Sequence, residues 1–112
     1  MKSGVWELQE VLKDLKSIPE GEEPYLEPFK HGSMSLGMYA PGEADLQSPH
    51  TQDELYFVIS GSGIFVNDGA RTPFAKGDAL FVAAGIEHRF EEYTKDFAAW
   101  VVFWGPDGGE VN

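Results

Sequence analysis

The chain has 112 residues and no cysteine, which suits one domain with one core and excludes disulfides, thiolate chemistry and cysteine-based zinc sites. Its formal charge of −11, spread from Glu7 to Glu110, argues against nucleic acid or an anionic membrane as partner, and fits a solvated acidic surface. Apolar residues make up 42% and aromatic residues 13%, enough for a packed interior, while 13 glycines and 7 prolines stay short of a disordered composition.

The N-terminus lacks the long apolar core of a signal peptide, and the longest strongly apolar run covers only residues 97–104. The expectation is a cytoplasmic protein. Over residues 5–15, Val5, Leu8, Val11, Leu12 and Leu15 recur at helical spacing, with Ser3 or Gly4 as candidate N-cap. This predicts one short amphipathic helix packed on the outside of the domain, with Trp6 as a packing anchor. Residues 18–28 lose that pattern among four prolines and glycines and four glutamates, and read as an acidic linker or edge arm.

From there the pattern is of strands. Met34, Leu36 and Met38 alternate over residues 33–39, and Pro41-Gly42 forms a turn. Further strands are predicted at 55–59, 64–66, 78–83, 88–91 and 97–104. They are punctuated by Gly61-Ser62-Gly63, Asn67-Asp68-Gly69, Ala75-Lys76-Gly77 and Ala84-Gly85. Seven or so short strands at this spacing predict an all-β sandwich or barrel. The phase of Met38, Phe65, Phe81, Trp100 and Phe103 is left open.

The chemistry concentrates in residues 48–61. His50, Gln52 and Glu54 share a strand phase just ahead of the apolar run 55–59. In an extended strand residues four apart lie roughly 13 Å from each other, so His50 and Glu54 can meet one ion only if the chain bends between them. A third ligand has to come from His31 or His88. His31 reads as a surface residue, and His88 stands at a strand mouth after the turn at Ala84-Gly85. Tyr56 shares the phase of Glu54, and Phe90 that of His88, so both are candidate walls; ordinary core packing is the competing assignment for each.

The order Gly42, five residues, Ser48, one residue, His50, three residues, Glu54, six residues, Gly61 resembles the first motif of the cupin superfamily. The order Gly77, five residues, Ala83, one residue, Gly85, two residues, His88 resembles the second, fifteen residues further on. The resemblance implies a cupin jelly-roll barrel over residues 29–106, preceded by a helix and acidic arm over 1–28 and followed by a flexible tail over 107–112. It places the family's metal ligands on His50, Glu54 and His88. The family's first histidine is replaced by Ser48, its second-motif proline by Ala83 and its final asparagine by Glu92.

Two histidines and a carboxylate on an open face suit one divalent ion, whether iron, manganese, zinc or nickel. Ser48 and Gln52 are candidates to support a bound water, and Tyr56 and Phe90 to line the pocket. The implied activities are oxygenation or isomerisation of a small organic molecule. The competing expectations are a non-catalytic module that binds a small molecule or metal, and a metal-free scaffold. The resemblance also implies a homodimer formed by packing or swapping edge strands, with the arm from Glu20 to Glu27 as the exchanged piece.

Overall fold

The computed structural model describes residues 3–43, 45 and 48–111. One helix, α1 (Leu8–Lys16), precedes eight strands: β1 (Tyr25–His31), β2 (Met34–Tyr39), β3 (Asp53–Ser60), β4 (Ser62–Asn67), β5 (Ala70–Ala75), β6 (Ala79–Val82), β7 (His88–Glu91) and β8 (Ala98–Trp104). They form a five-stranded sheet of order β1-β2-β8-β3-β6 and a three-stranded sheet of order β5-β4-β7, and every pairing is antiparallel. This is the all-β jelly-roll architecture with a single short helix.

Strand alternation divides the apolar residues between two clusters. Tyr39, Tyr56, Val58, Phe65, Phe74, Phe90, Phe97 and Val101 point between the sheets and fill the barrel. Four of their rings converge on Phe90, with centroids 4.7–5.7 Å away. On the outer face of the large sheet, Met38, Ala98, Trp100, Leu26 and Ile59 receive the apolar stripe of α1, in which Val11 and Leu15 are buried. The phase of the five open residues is thereby fixed: Phe65 and Phe103 face the barrel, Met38 and Trp100 face the helix, and Phe81 faces solvent.

The helix is shorter than its sequence pattern. It starts at Leu8, and the N-cap is Glu7 in extended conformation with no side-chain cap bond, in place of Ser3 or Gly4. Val5 is 93% exposed and takes no part in the stripe. Trp6 instead lies against Phe29 at a centroid distance of 4.3 Å, which holds the approach to the helix in place.

Two strands lie where the pattern gave none. β1 begins at Tyr25, inside the stretch read as a linker or edge arm, and β5 contains Pro73. Both are edge strands, and β1 carries Pro28 at a register shift between Leu26 and Phe29. Proline, which donates no ladder hydrogen bond, is tolerated at such places. Between β4 and β5, Asp68 (φ 51) and Gly69 (φ 84) make the two-residue hairpin turn that needs positive φ at both positions. The C-terminal segment is tied back to the barrel: the Gly108 amide donates to the Thr51 carbonyl at 2.7 Å, and the Glu110 amide to Asp53 Oδ2 at 2.9 Å.

Candidate metal centre

Glu54 enters from β3 and His88 from β7, so the two sheets each contribute one group to the barrel interior. Glu54 pairs with Val82 and Phe103 on the flanking strands, and its side chain is 0% exposed. His88 is also buried. His50 comes from the loop before β3. The chain bends at Thr51 and Gln52, as the spacing required, and brings His50 Nε2 within 3.9 Å of Glu54 Oε1. Ligand atoms of His50, Glu54 and His88 all lie within 4.8 Å of one another.

The imidazole of His88 is oriented from behind. Its Nδ1 lies 3.1 Å from the Ile86 carbonyl, an acceptor that keeps a proton on that nitrogen and turns the Nε2 lone pair inward. Nε2 is 3.1 Å from Glu54 Oε1 and 3.2 Å from the Tyr56 hydroxyl. A carboxylate at that distance from an imidazole nitrogen is satisfied by positive charge at Nε2, either a proton there or a metal ion shared by the two groups. Burial disfavours charge on His88, but the Glu54 carboxylate and the Ile86 carbonyl outweigh it, and the pKa is raised from the ordinary histidine value.

Both Glu54 oxygens and His50 Nε2 are buried without a hydrogen-bond partner. Buried acceptors are rarely left in that state. A divalent ion held by exactly these atom types would satisfy all three, so the residues present fit such an ion.

A cavity of about 250 Å³ opens beside the cluster, with His50, Glu54, Tyr25, Tyr39, Tyr56 and Phe103 among its walls. Phe103 packs against His50 at 4.9 Å and against Tyr25 at 6.4 Å. Burial, followed by the carboxylates of Glu27, Glu54 and Glu23, pushes the Tyr25 phenol far above its usual pKa; the Ser35 hydroxyl works the other way. Tyr39 is raised likewise, by burial and by its contact with Asp45.

The remaining sequence candidates fall in different places. Gln52 is a clamp: its Nε2 donates to the Ser33 carbonyl at 2.8 Å and to the Gly105 carbonyl at 2.9 Å, which holds the bend between His50 and Glu54. Ser48 is exposed on the approach to His50. Phe90 sits in the ring cluster behind Tyr56, while Tyr56 itself reaches both the cavity and His88. His31 is exposed at the end of β1. Sequence reasoning passed over Tyr25 because it lay in the stretch read as a linker or edge arm; the signal available was the strand glycine under its phenol, Gly37.

The family model for the cupin domain matches residues 35–104. The chain belongs to the cupin family. An uncharacterised protein of Streptomyces coelicolor is 39% identical over 85 residues, covering 74% of this chain and 81% of that one. Among solved structures, a cupin 2 conserved barrel domain protein from Leptotrichia buccalis aligns with a TM-score of 0.64 at 21% identity over 83% of this cupin. DMSP lyase DddQ from Ruegeria pomeroyi aligns at 0.62 and 23% over 72%. This cupin spans 46% of each of those two chains. Among the described residues no helix is long and apolar enough to cross a membrane.

Proposed function

We propose that this cupin holds one divalent metal ion through His50 Nε2, the Glu54 carboxylate and His88 Nε2, and that a small organic molecule binds in the adjoining cavity. The observation that carries the reading is the cluster of buried, unpaired ligand atoms within 4.8 Å of one another at the wall of a 250 Å³ cavity. Iron, manganese, zinc and nickel all accept this donor set.

When bound, the ion supplies a Lewis acid or a dioxygen-binding centre. The chain supplies the rest. The Ile86 carbonyl orients His88, Gln52 holds the loop that carries His50, and Phe103 and Tyr56 screen the cluster from bulk water. On this reading the protein is a metal-dependent oxygenase or isomerase. A DMSP lyase of the same fold stands beside barrel proteins whose names give no reaction, so the fold does not select among chemistries. Exposure of Ser48, where the family's first histidine would stand, favours a second reading, a module that binds metal and ligand without turnover.

The reading extends to a cytoplasmic homodimer. Its support is the cysteine-free composition and an uncovered apolar row on the outer sheet face, in which Leu36, Val102, Leu55 and Phe81 are cross-strand neighbours over β2, β8, β3 and β6. The Glu20–Glu27 arm, whose Tyr25 and Leu26 pair with β2, stays the candidate for exchange between the two copies.

The deciding experiment is elemental analysis of protein purified without chelator or nickel resin, as wild type and as His88→Ala. Near-stoichiometric metal that the variant loses is the expected result. Wild-type protein that stays metal-free after incubation with iron, manganese, zinc and nickel salts would overturn it.

A further inference from the structure

The interior position 37 of β2 is a glycine without a positive φ, so its backbone does not need one. A glycine inside a strand weakens it and often marks a close approach by another group. Here that group is Tyr25. A Cβ at position 37 would lie 2.0 Å from Tyr25 Oη and 2.2 Å from its Cζ. Gly37 therefore leaves room for the phenol to lie across β2 toward the cavity.

The phenol O–H so accommodated has no acceptor, although its oxygen is buried. The neighbouring Ser35 hydroxyl acts on the phenol oxygen as a donor, which works against the rise of its pKa and leaves the phenol's own proton unplaced. A strand glycine spent on placing an unsatisfied hydroxyl makes poor sense for stability alone. It makes sense if the partner arrives from the cavity, which Tyr25 lines together with Glu54 and His50.

The charges of the cavity restrict that partner. Glu23, Glu27 and Glu54 line it against the single cation Lys30. A divalent ion would bring this set to neutrality and no further, so an anionic ligand would meet no surplus positive charge. The volume holds about eight water molecules, which suits a molecule of one small ring.

We propose that the cavity takes an uncharged small molecule offering an oxygen acceptor to the Tyr25 O–H, and that Tyr25, given room by Gly37, selects it. This rests on the cavity being the ligand site proposed above.

The probes are benzamide and benzoate, alike in size and shape and different by one charge. Zinc-loaded wild type and Tyr25→Phe are titrated with each and followed by ¹H–¹⁵N NMR at the Gly37 and Tyr25 amides, with the thermal midpoint of each protein measured alongside. Benzamide is expected to shift those amides and to bind several-fold more tightly than benzoate. Tyr25→Phe is expected to weaken benzamide binding by about three- to tenfold, the range of one neutral hydrogen bond, while melting at or above the wild-type temperature.

Benzoate binding as tightly as benzamide, unchanged benzamide affinity in Tyr25→Phe, a clear fall in its melting temperature, or no amide shift with either probe each overturns the assignment. Zinc content separates the two readings. Protein that takes up no zinc but binds benzamide through Tyr25 refutes the metal centre and leaves this inference standing.

Discussion

The Gly85 amide donates to the His50 carbonyl at 2.7 Å, which ties the loop carrying His50 to the turn that leads into His88. Two ligand candidates 38 positions apart are thus coupled through one backbone bond. Gln52 locks the same loop from its other side, through Ser33 and Gly105. Gln52→Ala leaves two carbonyls without their donor and is expected to cost about 1–2 kcal/mol, a fall of several degrees in Tm. Metal affinity is expected to drop by about tenfold or more, since loss of outer-shell support has that effect. Calorimetry and a competitive zinc titration measure the two quantities.

Glu54 is where stability and function oppose each other. Its carboxylate is wholly buried and neither oxygen has a hydrogen-bond partner. Glu54→Gln removes the charge and offers an amide N–H to His88 Nε2. The metal-free variant is expected to be more stable by about 1–3 kcal/mol, with metal uptake abolished. A urea unfolding series on chelator-treated protein tests it, and equal or lower stability in the variant would mean that the carboxylate is satisfied without an ion.

Glu92 stands where the family has asparagine, and it adopts φ 50, a left-handed conformation that asparagine tolerates better than glutamate. Its compensation is an ion pair with Arg71 at 2.7 Å, fully on the surface and so worth little. Glu92→Asn is expected to raise stability by about 0.5–1 kcal/mol, read as a higher urea midpoint at unchanged slope.

The sequence was most legible where chemistry constrains spacing. His50, Glu54 and His88 could be singled out from their motif positions, and the required bend at Thr51-Gln52 followed from strand rise alone. It was least legible where sheet edges relax the rules. β1 carries Pro28 and β5 carries Pro73, residues that normally argue against strands and are permitted here because nothing pairs with their outer sides. The amphipathic stripe ran one turn too far because Val5 is in phase with it while lying in an extended approach anchored by Trp6. Missing β1 also hid Tyr25, and with it one wall of the site.

Acid should weaken the surface cluster around Glu91. Arg89 first, then Arg71, hold its carboxyl below the usual glutamate pKa, with burial opposing them. A group whose folded pKa is depressed stabilises the fold above its unfolded value of about 4.3 and loses that contribution as pH falls through the folded value. The expected result is a small acid-side loss of stability below about pH 4 that Glu91→Gln lacks and that added salt reduces, because the cluster is solvent-exposed. Chemical-shift titration of the Glu91 side chain gives the folded pKa directly, and a value at or above the unfolded one would refute the argument.

The outer sheet face gives the oligomer prediction its surface. Phe81 is 52% exposed, Phe57 43% and Met34 40%, all on strands whose opposite faces close the barrel, and α1 covers only the end occupied by Met38 and Trp100. A two-fold contact uses one patch on both copies, and standard interfaces bury about 800 Å² per partner with little more than half of it apolar. An apolar row crossing four strands is a suitable centre for such a patch, and in a chain of charge −11 a row that itself carries no carboxylate is where two copies can approach. Sedimentation at micromolar concentration is expected to show a dimer for wild type and a monomer for Phe57→Glu/Phe81→Glu, with metal content unchanged because neither side chain faces the barrel. A wild-type monomer, or a dimer that survives both substitutions, would move the interface elsewhere.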